Sequence, residues 1–245
     1  MGRSIVFLYG ILSYFVFFAA FLYSIGFVGN LLVPKSIDSG TAGALVTALI
    51  VNLLLLSVFA LQHTIMARPG FKKIWTQVIP ESMERSTYVL LASLALVLIF
   101  AYWQPMPGTI WDVSGTTLGL VLEIIFWIGW GIVLTSTFMI DHFDLFGLRQ
   151  VYANLRKRDA AGGGFQTRMF YRLVRHPIMT GFLIAFWATP TMTMGHLLFA
   201  AVTSTYIYIA VLYFEEKDLV ATLGEKYTNY QKEVGTFFPG IGKKR

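Results

Sequence analysis

The sequence predicts an all-α polytopic membrane bundle of about six spans, and three observations support this fold class. Of the 245 residues, 56% are hydrophobic and only 13% are charged, whereas an average globular chain is about 25% charged. Five long stretches are almost free of charge, and each is long enough for a helix to cross about 30 Å of hydrocarbon. Of the 19 Lys and Arg residues, 18 fall in alternate connecting segments.

The composition also excludes several classes of protein. A disordered chain combines low hydrophobicity with high charge, and a disulfide-stapled secreted module needs cysteine, of which there is none. Neither a dinucleotide nor a phosphate-loop glycine motif is present, and no His or carboxylate group has convincing metal-ligand spacing. We therefore expect no metal. We also expect no nucleic-acid partner, because the basic residues lie in membrane-proximal loops.

The predicted spans follow the chain in order, within a single domain over residues 1–245. The first apolar stretch, Ile5–Gly29, is too long for the core of a signal peptide and lacks a convincing cleavage site, so it is predicted to remain as a span. The spans are expected near residues 5–29, 41–66, 87–103, 116–140, 178–193 and 195–214.

The last uncharged segment, Ile178–Phe214, is too long for one crossing. Its 37 residues would extend about 55 Å as a straight helix. Pro190 and Gly195 lie near its middle and interrupt helices. The segment is therefore predicted to form a short helical hairpin, and a bent, partly re-entrant hairpin is a close variant.

The distribution of basic residues predicts the orientation of the chain. If the amino terminus is cytoplasmic, every Lys and Arg except Lys35 lies in a cytoplasmic segment, as the positive-inside rule requires. This bias holds only if residues 178–214 cross an even number of times. Both termini, the loop 141–177 and the tail 215–245 are therefore expected in the cytoplasm.

The long loop and the tail have their own patterns. Arg156–Arg158 are expected to contact anionic lipid headgroups, and Gly162–Gly164 are expected to form a flexible linker. In the tail, Leu219, Leu223, Tyr227 and Tyr230 recur about every four residues. This spacing predicts an amphipathic helix that lies on the membrane or folds over the cytoplasmic face.

A candidate anion site lies where the cytoplasmic loop re-enters the membrane. Pro177 suits the first turn of a helix, and a helix start presents free N–H groups and a positive dipole end. Arg175 and His176 precede it, and Gly181 one turn later permits close approach to the backbone. The alternative interpretation is an ordinary helix start with a positively charged flank.

The far end of the hairpin carries Glu215 and Glu216. If the hairpin forms, these carboxylates return to the same rim as Arg175 and His176. Such a rim offers an anion-binding end and a cation-binding end, which suits a zwitterionic amino acid or a sulfonium cofactor. The alternative is a rim salt bridge, which contributes about 1 kcal/mol or less when exposed.

Together, Arg175–Pro177 with Gly181, and Glu215–Glu216 after the hairpin, resemble the isoprenylcysteine carboxyl methyltransferase and phospholipid methyltransferase superfamily. The resemblance covers roughly residues 120–235. It implies that these motifs bind S-adenosylmethionine at the cytoplasmic membrane surface, and that Tyr171, in the segment leading to them, belongs to the site. Met179 replaces the usual Tyr and Met169 the usual Gly, which weakens a prenylcysteine or phospholipid assignment.

A resemblance to bacterial methanethiol S-methyltransferases covers the whole chain. It rests on Gln62–Pro69, Glu84–Tyr88, Phe143–Gln150 and Ala185–Thr193. It implies S-adenosylmethionine-dependent methylation of a small thiol to dimethyl sulfide, without metal, in the bacterial inner membrane. The NnrU-type relatives leave a non-enzymatic role open as an alternative, and the sequence leaves the oligomeric state open.

Thiol methylation needs a thiolate, because the thiolate is the nucleophile. The candidate bases are His142, Asp141 and His63 near the cytoplasmic face, and Glu123. Glu123 lies within a span, where an acid suggests a functional site; the alternative is a neutral side chain bonded to a polar residue such as Asn52. His142 is equally consistent with a histidine at a loop rim. Arg149 is a candidate for the cofactor carboxylate or a lipid phosphate.

Overall fold

The computed structural model describes residues 2–160 and 167–244, and the predicted linker Gly162–Gly164 lies outside them. The described chain is almost entirely helical. The helices are α1 (Arg3–Gly29), α2 (Leu45–Ala67), α3 (Pro69–Trp75), α4 (Glu81–Tyr102), α5 (Thr117–Ile140), α6 (His142–Leu145), α7 (Leu148–Leu155), α8 (Pro177–Trp187), α9 (Met194–Ile209), α10 (Glu216–Leu223) and α11 (Glu225–Glu233). Strands β1 (Thr109–Asp112) and β2 (Thr191–Thr193), a 3₁₀ turn (Met169–Arg172) and a π-helical turn (Ala210–Glu215) complete the list.

Five helical stretches in the described part of the chain are long and apolar enough to cross a membrane, which confirms the predicted polytopic all-α class. They are α1, α2, α4, α5 and the continuous helix Met194–Leu223, which joins α9, the π-helical turn and α10. The sixth apolar helix, α8, has 11 residues and is therefore only about 16 Å long. It is shorter than the expected span 178–193, because residues 188–193 form a turn and strand β2.

The chain forms two compact units. Unit 1 contains Met1–Pro107 and Asp141–Gly162, and unit 2 contains Gly108–Ile140 and Gly163–Arg245. In unit 1, α4 packs against α1 and α2, and α7 packs against α1. The α1–α7 contact is close: a Cβ added to Gly10 would lie 2.5 Å from Val151 Cγ2.

The buried amide of Asn52 ties α2 to the end of α4 in unit 1. Its Nδ2 donates to the Gln104 carbonyl at 2.8 Å, and its Oδ1 accepts from the Gln104 N–H at 2.8 Å. Asn52 is therefore bonded to Gln104, and the interpretation that paired it with Glu123 is wrong.

In unit 2, helix α8 can end early because nearby side chains bond to carbonyls of its last turn and of the irregular backbone that follows it. His196 Nε2 lies 2.9 Å from the Phe186 carbonyl, and Trp111 Nε1 donates to the Thr189 carbonyl at 3.1 Å. Pro190 comes next and lacks an N–H. Backbone groups at membrane depth need such partners because no water is available there.

Strand β2 fixes the turn between α8 and α9. It pairs antiparallel with β1, placing Thr109 opposite Thr193 and Asp112 opposite Thr191. The turn therefore lies beside the chain that leads into α5, and the opposite end of the hairpin carries Arg175 and Glu215. This arrangement confirms that the uncharged segment 178–214 turns back on itself.

The predicted amphipathic tail helix is split in two. Gly224, with a φ of 57°, separates α10 from α11, and glycine accommodates this left-handed φ without the steric cost of a Cβ. The apolar side chains face one another across the break: Tyr227, Tyr230 and Val234 are buried, and Leu219, Val220 and Leu223 pack against them. The tail thus forms a cluster of its own.

Helices α5 and α8 approach through glycines. A Cβ added to Gly129 would lie 2.7 Å from Ala185 N, and one added to Gly181 would lie 2.7 Å from Gly129 O. The two backbones are therefore nearly in contact, and no side chain larger than hydrogen fits at either position.

The substitution Gly129→Ala should therefore destabilise unit 2. Overpacking costs about 1–3 kcal/mol, which lowers the apparent Tm in detergent by roughly 2–12 °C for a chain of this size. Gly70→Ala in α3 is the control, because a Cβ there meets no heavy atom within 4 Å. If Gly129→Ala and Gly70→Ala had the same apparent Tm, the close approach of α5 and α8 would be contradicted.

Candidate functional site

The hairpin in unit 2 brings Arg175 and His176 against Glu216. Arg175 Nε donates to Glu216 Oε1 at 2.7 Å, and His176 Nε2 lies 3.3 Å from the same oxygen. The side chains of Arg175 and Glu216 are each only 1% exposed. The ion pair expected at an exposed rim is therefore a buried one.

The remaining donors of Arg175 bind the carboxyl-terminal tail. Its NH1 donates to the Val234 carbonyl and, at 3.3 Å, to the Gln231 carbonyl. Its NH2 donates to Thr236 Oγ1 at 2.8 Å and to the Gly242 carbonyl at 3.2 Å. The rigid fork of a guanidinium suits this many fixed acceptors. Arg175 thus holds the tail.

Glu216 is equally engaged. Its Oε2 accepts from Gln231 Nε2 at 2.9 Å and lies 3.6 Å from Lys244 Nζ, while its Oε1 accepts from the Tyr227 hydroxyl at 3.3 Å. Burial raises the pKa of Tyr227, which keeps this hydroxyl a donor. We call Arg175, Glu216, Tyr227 and Gln231 the buried ion-pair network.

The main chain adds to the connection between the hairpin and the tail. The N–H groups of Arg175 and His176 donate to the carbonyls of Gly235 and Thr236 at 2.8 and 3.1 Å. In the first turn of α8, the Thr180 hydroxyl donates to the Phe237 carbonyl at 2.8 Å. The start of α8 is therefore covered by the tail.

His176 lies between the two glutamates. Its Nδ1 is 3.6 Å from Glu215 Oε1, and Glu216 faces its other ring nitrogen. Burial disfavours the charged ring, but the two carboxylates outweigh this effect and raise the pKa of His176 to about 9. His176 is therefore an imidazolium at neutral pH.

Glu215 differs from its neighbour, because its side chain is 44% exposed. The π-helical turn Ala210–Glu215 immediately precedes Glu216, and π-helical turns are frequent at functional sites. Consecutive carboxylates thus take different roles: Glu216 completes the buried network, while Glu215 presents charge at the surface beside His176.

The other expected cofactor residues of unit 2 have structural contacts. Pro177 is the first residue of α8, and Gly181 contacts α5. The buried Tyr171 donates weakly to the Ser136 carbonyl at 3.5 Å, and its own carbonyl accepts from the Tyr230 hydroxyl. These positions support the walls of the rim.

A shallow cleft of about 390 Å³ lies in unit 2 near Tyr171. It is lined by the last turns of α5, by the first residue of the 3₁₀ turn and by the residue before that turn: Thr135, Phe138, Met139, Arg168 and Met169. Its volume is in the range of small-molecule sites. The lining combines apolar and thioether groups with one cation.

Three of the expected residues lie in unit 1. The Asp141 carboxylate accepts from the Asp144 N–H at 3.1 Å and pairs with Arg149. His142 is 4% exposed, and its Nε2 lies 2.8 Å from the Tyr14 hydroxyl. Burial lowers the pKa of His142, so its ring is neutral at neutral pH.

Glu123, the third expected base, belongs to unit 2 but lies apart from the ion-pair network. It is exposed on α5, and it makes no hydrogen bond or ion pair with any residue that the structure describes. The described residues also contain no group of three His, Cys, Asp or Glu that could hold a metal ion.

The sequence did not reveal the contribution of the tail. Gln231, Thr236 and Gly242 bind Arg175, yet their sequence neighbourhood carries no motif. The spacing of Tyr227 predicts only that it belongs to the apolar face of an amphipathic helix. The π-helical turn has no recognisable sequence signal.

The arrangement at the rim fits a ligand with a positive group. Arg175 and Glu216 neutralise each other and are buried, so they cannot bind a ligand without breaking the network. The exposed part of the Glu215 carboxylate suits a sulfonium or ammonium group, whereas the His176 side chain is only 5% exposed and has both ring nitrogens facing glutamates. The exposed carboxylate of this rim therefore fits the positively charged sulfonium of the methyl donor that the sequence resemblance implies.

Comparison with known proteins places the chain among named relatives. Residues 51–218 match the family described as NnrU protein. The chain is 54% identical over 239 residues to the methanethiol S-methyltransferase of Mycobacterium tuberculosis, covering 98% of each protein. It is 50% identical over 244 residues to methanethiol S-methyltransferase 2 of Bradyrhizobium diazoefficiens, covering 100% of this chain and 93% of that protein. Human nurim is 31% identical over 165 residues, or 64% of this chain and 62% of nurim. No solved structure matches.

Breaking the buried ion pair should release the tail. Arg175→Met leaves the Glu216 carboxylate buried without its main partner, which costs about 3–5 kcal/mol. Trypsin should then cleave at tail lysines much faster than in the wild type. Lys72→Met, which removes a partly exposed pair with Glu84 at 3.8 Å, should cost less than about 1 kcal/mol. If trypsin cleaves the tail of Arg175→Met no faster than that of the wild type, Arg175 does not hold the tail in place.

The stability of unit 2 should depend on pH through His176. Its folded-state pKa lies above the ordinary value of 6.5, at about 9. Its contribution is therefore fully present below pH 6.5 and is lost as the pH rises through about 9. The apparent Tm of the wild type should fall across this range, and that of His176→Gln should fall less. If the apparent Tm of the wild type and of His176→Gln fell equally with pH, the raised pKa of His176 would be contradicted.

Proposed function

This chain belongs to the NnrU protein family, and we propose that it is an integral membrane methyltransferase that converts methanethiol to dimethyl sulfide with S-adenosylmethionine. The observation that carries the proposal is the full-length identity of 50–54% to proteins named methanethiol S-methyltransferase. The rim beside the buried ion-pair network supports the choice of methyl donor. We propose the bacterial inner membrane as the location, with both termini in the cytoplasm.

In this proposal, unit 2 binds the methyl donor. The exposed Glu215 carboxylate would bind the positive sulfonium or ammonium group, and the buried His176 imidazolium would position Glu215 from its place between the two glutamates. Tyr171 and Gly181 hold the walls of the rim in place through their contacts with α5, Tyr171 also contacts the tail, and Pro177 begins α8. S-Adenosylmethionine supplies an electrophilic methyl group bound to a positively charged sulfur.

We propose that His142 accepts the thiol proton. A neutral imidazole can accept a proton on the ring nitrogen that carries none, whereas the Asp141 carboxylate forms an ion pair with Arg149. The thiolate sulfur then bonds to the methyl carbon, and the electron pair of the breaking C–S bond stays with the donor's sulfur. The products are dimethyl sulfide and S-adenosylhomocysteine, and the proton passes from His142 to solvent.

The membrane setting suits this reaction. Methanethiol and dimethyl sulfide are small and apolar, so both can partition into the bilayer from which an integral membrane enzyme draws its substrate. Exclusion of water from a site near the lipid would favour attack by the thiolate over hydrolysis. Alignment of sulfur and methyl about 3–3.5 Å apart would supply the proximity effect.

Purified protein given methanethiol and S-adenosylmethionine should produce dimethyl sulfide, measured by gas chromatography of the headspace. Loss of a general base costs about 10²–10⁴-fold in rate, so His142→Gln should lower kcat by at least about 100-fold. His63→Gln is the comparison variant, because His63, the other candidate histidine, forms a similar 2.8 Å contact with the Tyr88 hydroxyl in the same unit. Equal losses in both variants would remove His142 from the mechanism.

Other outcomes separate the alternative functions. Methyl transfer to a prenylcysteine or to phospholipid, without dimethyl sulfide, would change the acceptor and keep the enzyme class. Absence of any transfer together with absence of binding to S-adenosylhomocysteine would indicate a non-enzymatic membrane protein.

A further inference from the structure

The cleft at the end of α5 carries a single positive charge among its described lining residues. All of these residues belong to unit 2. The Arg168 guanidinium is the charged group, and within unit 2 no described residue forms a hydrogen bond or an ion pair with its side chain. Its positive charge is therefore available to an anion that enters the cleft.

The rest of the lining suits a small sulfur compound. Phe138 and the thioethers of Met139 and Met169 form most of it, and thioethers are polarizable groups that adapt to apolar ligands. The Thr135 hydroxyl donates to the Gly131 carbonyl at 2.6 Å, so its proton is engaged within α5. The cleft thus combines an apolar, polarizable wall with one cation.

The backbone at the cleft is strained. Met169 has a φ of 46°, in the left-handed region that residues other than glycine seldom adopt. Neighbouring contacts fix the turn: the Tyr171 N–H donates to the Arg168 carbonyl at 3.0 Å, and the Tyr171 hydroxyl donates weakly to the Ser136 carbonyl of α5. Strain of this kind persists where the surrounding structure imposes it, and it concentrates at ligand sites.

Tyr171 also relates the cleft to the rim. It lies two residues after Met169, and burial, followed by the negative charge of Glu215, raises the pKa of its hydroxyl. The hydroxyl is therefore within electrostatic range of the carboxylate that would bind the sulfonium of the donor. The cleft and the rim are neighbouring parts of unit 2.

We propose that this cleft binds the methyl acceptor as a thiolate, with the Arg168 guanidinium paired to the thiolate sulfur. The proposal rests on the proposed function and supplies its acceptor site. A guanidinium is always charged and weakly hydrated, which suits a polarizable anion in apolar surroundings. The thiol proton ends in solvent, the sulfur bonds to the methyl carbon, and the electron pair of the breaking C–S bond stays with the donor's sulfur.

The other anion in the reaction is the carboxylate of the donor. A carboxylate is strongly hydrated and needs several hydrogen-bond donors when it leaves water. The described lining offers one charged donor, Arg168, among apolar and thioether groups. The lining therefore favours the thiolate.

Binding of methanethiol tests the proposal without methyl transfer. The free thiol is protonated at neutral pH, because a small alkanethiol is a weaker acid than cysteine, whose pKa is about 8.5. Binding as a thiolate therefore releases a proton, which titration calorimetry measures in two buffers of different ionisation enthalpy. With S-adenosylhomocysteine present, the wild type should release about one proton for each methanethiol bound.

Variants then test the guanidinium. Arg168→Gln should weaken methanethiol binding about tenfold or more and remove most of the proton release, because an opposite charge in contact favours the ionised form by at least about that factor. Arg168→Lys keeps the charge and should restore the release. Lys226→Gln removes an exposed cation of α11 in the same unit and should behave like the wild type. The apparent Tm of each variant identifies any loss of fold.

The proposal is overturned if the wild type does not bind methanethiol, if it binds methanethiol without releasing a proton, or if Arg168→Gln matches the wild type. It is also overturned if Arg168→Gln weakens binding of S-adenosylmethionine and leaves that of methanethiol unchanged, because Arg168 would then bind the donor's carboxylate. Failure of the proposed function gives a different result: proton release that depends on Arg168, without any dimethyl sulfide, would support the cleft and overturn the reaction.

Discussion

The buried ion pair between Arg175 and Glu216 is the interaction on which the rest of unit 2 depends. It exists only because residues 178–214 turn back, since the two side chains are 41 positions apart and approach to 2.7 Å. Two charges so deeply buried are stable only when hydrogen bonds satisfy their remaining atoms. The tail supplies those bonds through Gln231 and Thr236, so the hairpin, the ion pair and the tail require one another.

Because the buried ion pair must stay intact, its charges hold the fold together and are not available to a ligand. Arg175 and Glu216 neutralise each other, whereas Glu215 remains partly exposed and His176 carries a proton between the two glutamates. The π-helical turn before Glu216 shifts the helical register, so that adjacent carboxylates face different surroundings. A positively charged ligand at Glu215 would therefore leave undisturbed the pair that holds the fold together.

The sequence predicted the features that follow from local composition and chain length. Runs of uncharged residues predicted the spans, and the length of Ile178–Phe214 with Pro190 at its centre predicted the hairpin. Contacts between distant residues could not be predicted in this way. The bonds from Arg175 to Thr236 depend on tertiary folding, the early end of α8 depends on His196, and the exposure of Glu123 depends on which face of α5 packs against α8.

Calorimetric titration with S-adenosylmethionine, in the absence of thiol, tests the central claim that the rim, and not the buried pair, recognises the donor. The wild type should bind one equivalent, and Glu215→Gln should weaken binding about tenfold or more, which corresponds to the loss of about 1.4 kcal/mol or more. Glu225→Gln, which changes an exposed carboxylate at the start of α11, should bind like the wild type. Unchanged affinity in Glu215→Gln, or no binding by the folded wild type, would contradict the account.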